Sequence, residues 1–226
     1  MEKINVAIDG PAGSGKGTTA KGLAKKLNYK YLDTGAMYRS LALFLKRQGI
    51  TKKEDFKEAL LEGINISFDE NNNVYLNGEN VEEQIRSSEI GALSSDFASL
   101  PPVRRLLAKK QKEIVKEKGY VAEGRDIGSV VIPDAEVKIY LDASLEVRAK
   151  RRYEDLVQRN KGKEPEDISF EELKKQLEER DKQDKGRADS PLLKVEDAIE
   201  VDTSECSIEE QIEKVYEIVL RKLLKK

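Results

Sequence analysis

Residues 4–20, Ile-Asn-Val-Ala-Ile-Asp-Gly-Pro-Ala-Gly-Ser-Gly-Lys-Gly-Thr-Thr-Ala, constrain the fold more than any other stretch. A short apolar run passes into a glycine-rich turn and then into helical spacing, the layout of a phosphate-binding cradle. Gly10, Gly13 and Gly15 leave room for backbone N–H groups to converge on an anion, with Pro11, Ala12 and Ser14 completing the turn. Lys16 reaches the outer phosphates of a nucleoside triphosphate, and the helix N-terminus adds its partial positive charge. Where the pattern G-x-x-x-x-G-K-[ST] places a hydroxyl for Mg²⁺, this chain has Gly17, and hydroxyls follow at Thr18 and Thr19.

The remaining composition decides by exclusion. The chain of 226 residues contains no His, which removes Ser-His-Asp and Cys-His nucleophile pairs and every His-bearing metal site. Chemistry must rest on carboxylates, Arg, Lys and backbone. With 41 Lys plus Arg against 43 Asp plus Glu, the net charge of −2 gives no sign of a nucleic-acid or membrane partner. A single cysteine, Cys206, excludes an internal disulfide and fits a reducing compartment. Met1 to Gly10 lacks the layout of a secretion signal, and no apolar run approaches the roughly 18 residues that span a bilayer, so a cytoplasmic location is expected.

Beyond the cradle, Lys16 to Leu27 reads as a helix with Ala20, Leu23, Ala24 and Leu27 on one face, and Tyr29 to Leu32 as a strand. Ala36 to Gln48 is a second helix ended by Gly49, and Thr51-Lys-Lys-Glu54 predicts a capping box for a helix over 52–61. Between 64 and 81 the period changes to alternation around a turn at Asp69 to Asn73, predicting a small antiparallel insert. Residues 82–99 read as one or two short helices, Pro101-Pro102 as a break, and Val103 to Lys118 as a long basic helix. Strands at 120–122, 137–141 and 198–202 alternate with helices, and 145–187 is a charged helical arm broken at 160–165. Ser144 and Ser207 read as N-caps, Ser207 within a capping box with Glu210. The alternation predicts a three-layer α/β sheet, mostly parallel, with functional residues at its strand ends.

Arginines recur at those strand ends and along the arm: Arg39, Arg104, Arg125, Arg148, Arg151, Arg152, Arg159, Arg180 and Arg187. The planar guanidinium suits phosphate recognition. Local chemistry singles out Arg39, Arg125, Arg180 and Arg187, while Arg148, Arg151, Arg152 and Arg159 lie in a helix rich in both charges and read equally as a solvated face.

Four stretches occur in order: Gly10-Pro-Ala-Gly-Ser-Gly-Lys-Gly-Thr18, Asp33-Thr-Gly-Ala-Met-Tyr-Arg39, Glu123-Gly-Arg-Asp-Ile-Gly128 and Arg180-Asp-Lys-Gln-Asp184-Lys-Gly-Arg187. Together they resemble those of the bacterial cytidylate kinases, within the nucleoside monophosphate kinases, over nearly the whole chain. The G-K-G-T form alone is shared with adenylate kinases; the other three stretches are specific. The resemblance implies a three-layer P-loop NTPase fold with a mostly parallel five-stranded sheet, a small antiparallel CMP-binding insert and a helical lid. It implies one kinase domain, with a core of 1–33, 101–143 and 190–226, a CMP-binding subdomain of about 34–100 and a lid of about 144–189.

The implied activity is ATP-dependent, Mg²⁺-dependent phosphorylation of CMP and dCMP by a monomer. Lys16 and the cradle from Gly10 to Thr19 would hold ATP, with Arg152 among the lid arginines closing over it. Arg39 and Arg125 would bind the CMP phosphate, and Ser95, Arg104 and Asp126 would line the cytosine site with Thr34 nearby. Asp184 and Arg180 would lie at the sugar and Arg187 among the phosphates, Lys16, Arg125 and Arg180 acting in the transfer itself. No protein ligand for the metal is implied, and Asp33 reads either as a strand-end cap or as a water-mediated Mg²⁺ contact. The alternatives are a kinase of UMP or another small molecule, and a nucleotide-hydrolysing switch whose arm meets a partner.

Overall fold

The computed structural model describes residues 3–159, 162–163 and 168–224. It divides into two compact units, one formed by 1–30 with 118–226 and the other by 31–117. The predicted break at 160–165 lies mostly outside the described residues, as does the side chain of Arg159.

The first unit is built on strands β1 (Val6–Asp9), β6 (Tyr120–Gly124), β7 (Val137–Asp142) and β8 (Ile199–Asp202). The chain leaves this unit through β2 (Lys30–Asp33), and the five-stranded sheet has the order β2-β6-β1-β7-β8. β1 pairs in parallel with β6 and with β7, and β7 with β8, so Asp9 stands level with Gly124 on one side and Tyr140 on the other. β1 has neighbours on both sides and is buried throughout, which is why it reads as a continuous apolar run rather than an alternating one. Helix α1 (Lys16–Leu27) packs on β6 and on α7 (Ile208–Leu223). The predicted capping box of α7 is present, Ser207 and Glu210 each bonding the other's backbone N–H. Helices α5 (Leu145–Arg159) and α6 (Phe170–Gly186) pack on one another. The predicted Ser144 cap accepts from the Val147 N–H at 3.3 Å.

The second unit contains α2 (Thr34–Arg47), α3 (Ser88–Phe97), α4 (Pro101–Val115) and the antiparallel sheet of β3 (Ile66–Phe68), β4 (Val74–Leu76) and β5 (Glu79–Asn80). The insert predicted at 64–81 is therefore present. Two local expectations change. The helix expected over 52–61 is replaced by two 3-10 turns, 53–55 and 58–61, because Phe56 is extended between them and sets its ring 6.5 Å from that of Phe97. Pro101-Pro102 starts α4 instead of merely breaking the chain, since proline lacks only an N–H that the first turn would leave unbonded.

Candidate active site

The cradle forms as its sequence requires. Gly15 precedes α1 with φ 90°, a conformation that other residues enter only with strain, and thereby aims the first-turn N–H groups at one point. Lys16 is buried, and its ammonium donates to the Pro11 carbonyl at 2.7 Å. Burial, and after it the Arg125 charge, lower its pKa to about 7, against the opposing pull of Glu123, Asp184 and Asp9. The two threonines separate in role: Thr19 is buried with its hydroxyl donating to Gln211 Oε1 at 3.3 Å, whereas Thr18 is exposed. The turn is braced from behind by Thr203, whose hydroxyl donates to the Ser14 carbonyl at 3.2 Å.

In the same unit, Arg125 follows β6 and Asp184 lies in the last turn of α6. The Asp184 carboxylate is 1% exposed; it accepts from Arg125 Nε at 2.8 Å and forms an ion pair with Arg187. Burial works against its charge, but Arg125, Arg187 and Arg180 together hold its carboxyl below the ordinary range. Three of the predicted arginines thus gather about one predicted carboxylate. Asp126 is buried and opens a single π-helical turn, 127–131. Arg152 is half-buried on α5.

Arg148 departs from the solvated-face reading. It is buried, pairs with Asp181 of α6 at 2.7 Å and donates to the carbonyls of Ala12 and Ala143, each at 3.0 Å. Arg151 is half-buried and donates to the Thr203 hydroxyl at 3.0 Å and the Thr203 carbonyl at 2.6 Å. Both arginines thus brace the cradle, a role that no local pattern discloses.

The second unit carries Thr34, Arg39, Ser95 and Arg104. Asp33 caps α2 by accepting from the Ala36 N–H at 2.8 Å, and its other oxygen accepts from Arg39 at 3.0 Å and Arg86 at 3.4 Å. Burial opposes its ionisation, yet Arg39 and Arg86 keep its carboxyl below the usual range. Asp33 is therefore a cap and an arginine partner at once, and Arg86 is a participant the sequence did not flag. Thr34 is buried at the start of α2, and Ser95 is half-buried on α3. Arg104 is buried on α4, donates to the Ala98 carbonyl at 3.2 Å and lies over the Tyr38 ring at 5.6 Å.

A parallel sheet whose first strand feeds a lysine-bearing anion cradle, with guanidiniums gathered about a buried acid, defines an α/β kinase of the P-loop class. A shikimate kinase structure from Bacteroides thetaiotaomicron shares that fold, with a TM-score of 0.50 at 13% identity over 96% of this chain and 98% of that one. The family model for cytidylate kinase matches residues 6–221. Similar proteins include the cytidylate kinases of Fervidobacterium nodosum, 52% identical over 95% of each chain, and of Thermosipho melanesiensis, 50% identical over 96% of this chain and 97% of that one. The cytidylate kinase of Pseudothermotoga lettingae is 44% identical over 99% of this chain and 97% of its own. The chain belongs to the cytidylate kinase family.

Proposed function

We propose that the protein transfers the γ-phosphoryl group of ATP to CMP, and to dCMP, with the cradle and Lys16 as the donor site. The observation that carries the reading is the set of three guanidiniums about Asp184 in the unit that also bears Lys16, within a chain of the cytidylate kinase family. An acceptor phosphate is already ionised near neutral pH, so no base is needed. Its oxygen attacks the γ-phosphorus, the bond to the bridging oxygen breaks, and ADP leaves with that oxygen. The protein's part is in-line placement and neutralisation of charge, which Lys and Arg perform without His.

Arg125 and Arg39 hold the CMP phosphate in this scheme. Arg180 and Asp184 meet the sugar, Arg187 the phosphates, and Ser95, Arg104, Asp126 and Thr34 the base. Arg152 and the other lid arginines close over ATP. Among the described residues no cluster of three or more His, Cys, Asp or Glu is placed to hold a metal, and Asp33 is engaged by two arginines. The donors present fit a Mg²⁺ carried by nucleotide phosphates and water, with Thr18 as the exposed hydroxyl beside Lys16; when bound, it would screen phosphate charge. Among the described residues no helix is long and apolar enough to cross a membrane. The reading is of a monomer working on small molecules in the cytoplasm, with the single cysteine suiting a reducing compartment.

The test is a coupled assay of ADP release with ATP and CMP, dCMP, UMP, AMP or GMP in turn. Release that depends on CMP is expected. Release without any acceptor would favour a hydrolysing switch, release confined to UMP a sibling kinase, and either would overturn the proposal.

A further inference from the structure

Asp126 occupies the N-cap position of the turn 127–131, where an aspartate ordinarily accepts from the N–H groups of its own turn. Here its side chain makes no such bond. The cap comes instead from Asp9, the last residue of β1 and the residue immediately before Gly10 of the cradle. Asp9 Oδ1 accepts from the Ile127 N–H at 2.8 Å and Oδ2 from the Gly128 N–H at 2.7 Å, so both oxygens are spent on the loop that follows Arg125 and Asp126. The parallel pairing of β1 with β6 sets Asp9 level with Gly124, so the carboxylate needs to span only the distance between neighbouring strands.

We infer that Asp9 is a positioning residue for the acceptor nucleotide. By capping the turn from the neighbouring strand, it fixes Arg125 and Asp126 in register with the phosphate cradle. The inference rests on the reading of Arg125 and Asp126 as CMP-binding groups and adds the residue that orients them.

Two observations support it. A carboxylate at the end of a strand otherwise made of Val, Ala and Ile is an expensive way to cap a turn, since burial pushes the Asp9 carboxyl up to about 6 despite its two backbone bonds. Such conflicts between local energetics and the fold mark functional positions. Gly128, in turn, is where the carboxylate comes closest: a Cβ there would lie 3.3 Å from Asp9 Oδ2 and 3.3 Å from Lys138 Cδ.

The experiment uses the full chain, with KM for CMP and for ATP and kcat measured for wild type, Asp9→Asn and Gly128→Ala. The first substitution keeps the shape of the side chain but presents an amide N–H₂ where an acceptor is required, and the methyl group added by the second disturbs the same contact from the other side. Each is expected to raise the KM for CMP by about 10- to 100-fold, the scale seen when an outer-shell partner that orients a metal ligand is lost. The KM for ATP should change by less than about threefold, because Lys16 keeps its bond to the Pro11 carbonyl and the Asp9 charge is the smallest of the influences named on it. If Asp9→Asn fails to fold, Gly128→Ala carries the comparison. An unchanged KM for CMP overturns the inference, and so does an equal rise for both substrates, which would mark Asp9 as a merely structural cap. Wild type separates the two levels: no CMP-dependent ADP release would remove the functional reading itself, whereas normal CMP turnover with an unselective Asp9→Asn would remove only the role of Asp9.

Discussion

Replacing Asp184 by Asn tests whether the arginine cluster is built for an anion. In the native chain one carboxylate, 1% exposed, is set against Arg125, Arg187 and Arg180. Arginine cannot shed its proton to escape burial, so Asp184→Asn takes away the buried carboxylate set against three positive charges, while Glu123 and Asp181 still face Arg125. Breaking a buried pair by removing one partner costs about 3–5 kcal/mol. For a chain of this size, each kcal/mol lowers Tm by about 2–4 °C, so a fall of about 6–20 °C is expected at pH 7. The pH dependence has a definite sign. The Asp184 carboxyl is held below its ordinary 3.8, so its stabilisation is present above that value and is lost as pH falls through the lower folded value. The gap between wild type and variant should therefore be constant from neutral pH down to about 5 and close in stronger acid. Thermal denaturation followed by circular dichroism, with and without inorganic phosphate, provides the measurement. Phosphate should restore more stability to the variant than it adds to wild type, because it replaces the missing charge. A variant within about 2 °C of wild type at pH 7, or one that phosphate does not selectively rescue, would refute the reasoning.

Three further outcomes are expected. Lys16, lowered to about 7 in the nucleotide-free chain, should be raised by the phosphates of ATP, so that binding at pH 8 takes up protons; calorimetry in two buffers of different ionisation enthalpy measures this, and Lys16→Arg should abolish the uptake. Arg148→Ala strands the buried Asp181 carboxylate and frees the Ala12 carbonyl, so urea denaturation should show a loss of about 3–5 kcal/mol, part of it recovered in the double variant with Asp181→Leu. Asp126→Ala should weaken CMP more than it changes the KM for ATP in steady-state kinetics, and equal losses would contradict a role in reading the base.

What was legible in the chain divides by distance. The strand, glycine turn and helix of residues 4–20 were read correctly because each element is specified by its neighbours, as were the caps at Ser144 and Ser207. The stretch 52–61 misled because the Phe56 ring is drawn to Phe97, and tertiary packing overrides a marginal local preference. Arg148 was invisible for a related reason: a charged helix looks solvated until the acid that meets one of its arginines is known, and Asp181 arrives from another helix.

The same division explains the site. Arg180 and Asp184 stand at i and i+4 on α6, and Arg187 follows as the extended residue just past its end, so the motif is contiguous in sequence and announces itself. The residue that completes the cluster, Arg125, comes from the end of a strand, and the residue that caps the loop after Arg125 comes from the end of another. A parallel sheet brings such ends together at one edge without leaving any trace in local spacing. In a chain without His, these pairings of carboxylate with guanidinium or backbone N–H do two things: they hold the first unit's segments in register, and they set the charges that meet a phosphate. Asp9 shows the same: its strand reads as a plain apolar run, and only the pairing of β1 with β6 brings the Ile127 and Gly128 N–H groups within reach of its carboxylate.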